Sequence, residues 1–326
     1  MTKIENNVFN FSLPTPYPVG DVNTYFIDCR SPILIDTGVY SSMSLRVLRE
    51  RFEENGLRME DVKRILVTHH HYDHAGAARH LAQTLGATLY LLEGSERFAR
   101  WSQESAGATL EYLVRCGMPR EKVEKVIGLF SMGEKFTNND ATPGAVEYLR
   151  GGDLIDCGES SLEVVLTPGH SPDHVCYMDR SRGVMFSGDM LLPTITPNPV
   201  LYLDGADGWK RMPSLLNYID SLERVRSCGA RRCLPGHGSV IEDVPGLVEK
   251  NTGFIEERRQ RLLDCHGDAP ATPFGLVDAV FGGLNTMNRF LAVSEIVAYL
   301  DLLERRGEVT VDWEAPVIAS CRTRRG

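Results

Sequence analysis

Thr68-His69-His70-His71-Tyr72-Asp73-His74 is the stretch from which the fold of this chain can be read. It reads T-H-x-H-x-D-H, four imidazoles and a carboxylate in a row. Just before it, Arg64-Ile65-Leu66-Val67 is a short apolar run with β-branched residues, which predicts a buried strand. Just after it, Ala75 to Leu85 predicts a helix, with Leu81 and Leu85 an i,i+4 pair. The polar run therefore occupies a strand-to-helix loop, where an irregular backbone lets side chains converge. Strand alternation would send His69 and His71 to one face and His70 to the other, so His70 is expected outside the cluster.

Three later motifs add donors: His170 in Thr167-Pro168-Gly169-His170, Asp189 in Ser187-Gly188-Asp189, and His237 in Leu234-Pro235-Gly236-His237-Gly238. Each follows a run read as a strand, at Ser161 to Leu166, Gly183 to Phe186 and Arg232 to Leu234. Imidazole nitrogen and carboxylate oxygen are ligands that zinc, iron and manganese accept, and seven of them can hold two ions. The plain alternative is a surface histidine tract that picks up metal as a tag does. Asp73 interrupts the tract and three ligand motifs follow it, which argues against that reading.

Taken together the motifs resemble the metallo-β-lactamase superfamily over roughly residues 15 to 240, with a glyoxalase II-like metal site. The resemblance implies an α/β fold, the αββα sandwich, and a dinuclear centre. His69, His71 and His170 would hold the first metal, Asp73, His74 and His237 the second, and Asp189 would bridge both. Asp36, in Asp36-Thr37-Gly38 after the predicted strands Asn23 to Asp28 and Ile33 to Ile35, resembles the D-T-G of the family. It is read either as a group that orients ligands from behind or as a turn or N-cap aspartate.

At 326 residues, 42% hydrophobic and 24% charged, the chain has room for a main domain and a smaller one. The expected division is a catalytic domain over 1–245, with a helical insertion at about 95–145, and a helical C-terminal domain over 246–326. No apolar run reaches eighteen residues, and Met1 to Asn10 lacks the apolar core of a signal peptide. The eight cysteines form no C-x-x-C pair. Cys29, Cys157 and Cys176 are expected to be buried free thiols. These features predict a cytoplasmic, disulfide-free protein with no membrane partner. The net charge of −9 argues mildly against nucleic acid as a partner and leaves a small-molecule substrate.

Within the insertion, Ser95 to Arg115 and Arg120 to Phe130 predict two helices. Their apolar stripes are Phe98, Trp101, Leu110, Leu113 and Val114, then Val123, Val126, Ile127 and Phe130. The segment is read as a cap over the metal cleft, against a surface appendage or the contact of a homodimer. From Met190 to Tyr202 three prolines hold the chain extended. Asn198 and Tyr202 there, and Tyr72 in the metal loop, are the candidate substrate contacts, with rigid loop packing as the alternative. Leu247 to Cys265, Thr272 to Val280 and Leu291 to Arg306 predict helices, followed by a turn into a strand, an order that resembles a winged-helix module. Residues 246–326 carry ten Lys/Arg against twelve Asp/Glu, which favours a docking role over nucleic-acid binding despite the basic tail of Arg322, Arg324 and Arg325.

The chemistry expected is metal-dependent hydrolysis. A water shared by two divalent ions, zinc first with iron or manganese accepted, gives a bridging hydroxide near neutral pH. Asp189 would fix the metal separation and Asp73 would hold the remaining proton. The substrate would be a thioester, ester or lactone, a pattern similar to hydroxyacylglutathione hydrolases. An endoribonuclease or phosphodiesterase of the same fold is the second reading. A non-hydrolytic one-iron persulfide dioxygenase is the third, and the insertion and C-terminal module make it a poor fit.

Overall fold

The structure, a computed structural model, describes residues 3–5, 7–98, 103–204, 210–267, 269–314 and 316–321. Trp101, the Phe130 side chain, and Arg322, Arg324 and Arg325 lie outside the described residues. The chain divides into two compact units. The first comprises Met1–Arg100, Gly133–Pro197 and Ser221–Val248; the second comprises Trp101–Met132, Asn198–Asp220 and Glu249–Gly326.

Two sheets carry the first unit. One runs in chain order: β1 (Lys3–Glu5), β2 (Val8–Leu13), β3 (Val22–Ile27), β4 (Ile33–Ile35), β5 (Arg64–Leu66), β6 (Thr88–Leu92) and β7 (Ala145–Leu149). It is antiparallel up to β4 and parallel from β4 to β7. The other contains β8 (Leu154–Asp156), β9 (Ser161–Leu166), β10 (Val175–Asp179) and β11 (Val184–Gly188), with Arg232–Pro235 added parallel to β11 at its edge.

Period-2 alternation sorts the first sheet's side chains into two cores. Ile33, Ile35, Tyr25 and Leu66 face the second sheet and pack with Leu162, Val164, Tyr177, Phe186 and Leu234. Leu34, Phe26, Phe11 and Ile65 face the other way, onto helices Ser42–Glu54 and Ala78–Leu85, which supply Leu48, Phe52 and Leu81. Leu48 and Phe52 lie one turn apart on a helix capped by Ser41, whose hydroxyl accepts from Ser44 N. Helix Ser214–Cys228 ends against the second sheet, with Ser221 Oγ donating to Pro168 O and Arg224 to Leu166 O. Helix, sheet, sheet, helix is the αββα order.

The predicted helix from Ala75 to Leu85 is two pieces, Tyr72–Ala75 and Ala78–Leu85. Gly76 lies at the break, where a Cβ would come within 2.2 Å of Tyr72 O and 2.4 Å of Phe136 O. The early turn draws Asp73 and His74 into helical backbone, which strand-to-loop reasoning did not foresee. Cys157 and Cys176 are buried as expected, but Cys29 is only half-buried, because it sits on the turn leaving β3.

In the second unit, insertion helix Gln103–Arg115 buries Leu113, and Arg120–Gly133 buries Val123 and Val126. Phe274 N donates to Cys116 O and Val317 N to Arg115 O, tying the insertion to the C-terminal segment. Helices Pro273–Phe281 and Thr286–Arg305 and the hairpin Val309–Asp312/Ile318–Cys321 follow one another there. Pro245 and Gly246 lie in the first turn of helix Val244–His266, where proline is tolerated because its missing N–H has no helical partner. No helix among the described residues is long and apolar enough to cross a membrane.

Candidate metal centre

Every donor singled out from sequence in the first unit's loops sits just past a strand or in the short helix Tyr72–Ala75. Their donor atoms converge. Those of His69, His71 and His170 lie within 4.8 Å of one another, as do those of Asp73, His74 and His237, and those of His69, His74 and Asp189. His71 Nδ1 is 2.9 Å from His69 Nε2 and 3.0 Å from His170 Nε2. Nitrogens that bind one tetrahedral ion at ~2.0–2.1 Å sit roughly 3.3 Å apart, so this spacing suits a shared cation. Asp189 stands between the groups. Its Oδ2 is 3.5 Å from His170 Nε2 and 3.8 Å from His237 Nε2, and its Oδ1 is 3.4 Å from His74 Nε2.

Hydrogen bonds behind the cluster orient the rings. Asp36 Oδ1 accepts from Thr68 N, and its Oδ2 accepts from both Thr68 Oγ1 and His74 Nδ1, each at 2.8 Å. Thr68 Oγ1 spends its one O–H on Asp36, so toward His69 Nδ1, 3.0 Å away, it is the acceptor. His237 Nδ1 donates to Asp21 O at 2.8 Å. In all three rings Nδ1 is bonded from behind, which leaves Nε2 facing the cluster, where a cation would take the place of a proton. Asp36 adopts φ 58. That left-handed backbone costs about 1–2 kcal/mol, less than three hydrogen bonds to a buried carboxylate at about 1.5–3 kcal/mol each. The role proposed for Asp36 is the orienting one. Asp36→Asn tolerates the same backbone but turns a donor toward His74 and Thr68. It is expected to weaken metal affinity about 10–100-fold, measured by chelator competition; a change within twofold would mean Asp36 only shapes the turn.

The electrostatics fit a cation. Burial, then the neighbouring imidazoles, hold His69 and His71 well below the ordinary histidine value and so neutral. Burial opposes charge on His74, yet Asp189, Asp36 and Asp73 raise it well above that value. Burial likewise opposes the charge of Asp189, but His74, His170 and His237 drop its pKa below the carboxylate range. Most telling, His74 Nε2, Asp189 Oδ1 and His237 Nε2 are buried and make no well-aligned hydrogen bond, meeting each other and Asp73 at 3.3–3.4 Å. Buried polar atoms without partners are costly unless an ion completes them. Gly236 keeps that space open, since a Cβ there would lie 2.4 Å from Asp189 Oδ1.

One contributor was missed from sequence. His174, fully buried, accepts the Asp189 backbone N–H at Nε2 (3.1 Å) and meets Thr167 Oγ1 at Nδ1 (2.8 Å). Burial and then His170 push it down to about 3, so it stays neutral and its Nε2 stays an acceptor. The available signal was the second histidine of His170-Ser171-Pro172-Asp173-His174. His70 lies outside the groups, with Nδ1 2.8 Å from Asp173 Oδ1. Tyr72 is half-buried in the metal loop. Asn198 and Tyr202 belong to the second unit, where Asn198 Nδ2 faces Glu295 Oε2 at 3.5 Å and Tyr202 O accepts from Met212 N.

Residues 17–237, which span all seven converging donors, match the metallo-beta-lactamase superfamily. The chain belongs to that superfamily. The membership makes it a metal-dependent hydrolase and implies divalent metal ions. It is 28% identical over 322 residues to the probable metallo-hydrolase YqjP of Bacillus subtilis, covering 96% of this chain and 97% of that protein. An atrochrysone carboxyl ACP thioesterase of Aspergillus fumigatus is 26% identical over 232 residues, 64% of this chain and 70% of the thioesterase. Among solved structures, a metallo-beta-lactamase family protein of Thermus thermophilus superposes with a TM-score of 0.83 at 29% identity, over 98% of this chain and 100% of its own.

Proposed function

We propose that this hydrolase works with two divalent ions, zinc first, on a small acyl substrate: a thioester, ester or lactone. His69, His71 and His170 would hold one ion, Asp73, His74 and His237 the other, with Asp189 shared. The observation that carries the reading is the set of inward-facing donor atoms around Asp189, three of them buried with no well-aligned hydrogen bond. When bound, the ions supply a nucleophile from water near neutral pH and Lewis acidity toward the carbonyl.

The chain's own residues do the rest. Asp36, through Thr68 and His74, bonds the imidazoles from behind and leaves Nε2 facing the reacting side. Asp73, whose Oδ2 is 3.3 Å from His237 Nε2, would hold the remaining proton of the nucleophile. His174 holds the Asp189 backbone. The acyl class is supported by the net charge of −9 and by the relative named as a thioesterase. The second reading, a phosphodiesterase, is favoured by the helices and hairpin of the second unit, which resemble a winged-helix module. Within the first unit, Tyr72 in the metal loop is the substrate contact we propose.

A panel of thioesters, esters, lactones and single-stranded RNA tests the class. Acyl substrates should be turned over with weak dependence on salt, and RNA neither bound nor cut. A phosphate backbone needs gathered cations, so RNA cleavage that falls steeply with salt and disappears in His237→Ala would reverse the ranking.

A further inference from the structure

Two turns of the first unit bring a pair of thiols together. Cys29 follows β3 and is half-buried; Cys157 follows β8 and is 5% exposed. Cys157 belongs to the core cluster between the sheets against which Cys29 packs, and each thiol is the first influence on the other's titration. The backbones run side by side, since a Cβ on Gly158 would stand 4.0 Å from Arg30 Cβ. A cation completes the group. Arg64 Nη2 is 3.7 Å from Cys29 Sγ and 2.6 Å from Ser31 O, the carbonyl to which the Cys29 thiol donates at 3.1 Å. Arg64 is thereby anchored beside the sulfur.

We propose that Cys29 and Cys157 are a redox-active dithiol, a modification site at which a hydroperoxide converts two thiols to a Cys29–Cys157 disulfide. Their environments assign the roles. Cys29 is the more exposed and has the guanidinium beside it, so it is the attacking sulfur. The Cys157 contact, against burial and with help from Arg64, lowers its pKa below the ordinary thiol value, which favours the thiolate that reacts. Contact with Cys29 and burial push Cys157 up, so it keeps its proton until the second step. By contrast, Cys176 and Cys233 are fully buried, and burial raises both.

The chemistry balances with hydrogen peroxide as the oxidant. The Cys29 thiolate attacks one peroxide oxygen; the O–O bond breaks, hydroxide leaves and takes the proton lost by Cys29, and a sulfenic acid forms. Cys157 sulfur then attacks the Cys29 sulfur. The S–O bond breaks, and the leaving hydroxide takes the Cys157 proton as water. Two thiols are oxidised and one peroxide is reduced to two waters.

The metal-loaded full chain is exposed to hydrogen peroxide, quenched by alkylation and mapped by mass spectrometry. The expected product is a Cys29–Cys157 linked peptide lacking two hydrogens, reversed by dithiothreitol and absent from Cys29→Ser and Cys157→Ser. In Cys157→Ser, dimedone should label Cys29, because nothing resolves the sulfenic acid. Dimedone labelling of Cys29 in that variant without linkage in the native chain overturns the proposal. So does linkage of Cys29 to another cysteine, or no oxidation of Cys29 at all. If Cys157→Ser does not fold, the native peptide map still decides, since it reads the bond directly.

Discussion

Asp189→Ala is expected to lower kcat/KM by at least about 10³-fold, a loss of roughly 4 kcal/mol of transition-state stabilisation. The carboxylate stands between His170, His74 and His237 at 3.4–3.8 Å. On the two-metal proposal, removing it would leave two donor groups with nothing to fix the distance between the ions they would hold. The fold should survive, because the anchor that sets this turn is the Asp189 backbone N–H on His174, which alanine keeps. Far-UV circular dichroism and thermal unfolding should stay close to wild type. His70→Ala is the control. His70 bonds Asp173 at 2.8 Å outside the donor groups, so its loss leaves a buried carboxylate short of a partner at about 1–3 kcal/mol of stability. Its kcat/KM, measured well below its unfolding temperature, should change less than tenfold. Equal losses in the two variants would mean the loop is read in the wrong register.

The difference between these variants also marks what the sequence made legible. The converging donors could be read because each follows a predicted strand end, and strand ends on one rim of a sandwich point to one place. His70 could be set aside by alternation alone. The supports behind the donors were harder. Asp36 lies 32 residues before Thr68 and bonds it only because β4 and β5 pair in parallel, a long-range contact that local pattern does not carry. His174 was hidden for the opposite reason. It sits four residues beyond His170 on irregular backbone, where spacing says nothing about direction. The partition into units was also beyond local reading: Asn198–Asp220 groups with the insertion and the C-terminal segment through contacts far apart in sequence.

Stripping metal should abolish turnover and destabilise the protein together. Without cations, His74 Nε2, Asp189 Oδ1 and His237 Nε2 are buried with no well-aligned hydrogen bond, and Asp36, Asp73 and Asp189 crowd negative charge around His74. Ions that bind only the folded chain stabilise it by about 4 kcal/mol per site at a thousandfold excess over Kd. At roughly 2–4 °C per kcal/mol for a unit of this size, the metal-free form should unfold on the order of 10 °C or more lower. Elemental analysis of protein purified without chelator should find close to two ions per chain, because seven donors exceed what one tetrahedral ion can use. Dialysis against a chelator should remove both ions, and adding zinc should restore turnover and unfolding temperature in parallel. A chain that takes up a single iron and oxidises persulfides without hydrolysing any acyl substrate would overturn the two-metal reading. Uptake of two ions with an unchanged unfolding temperature would instead show that the buried lone pairs are not where the ions bind.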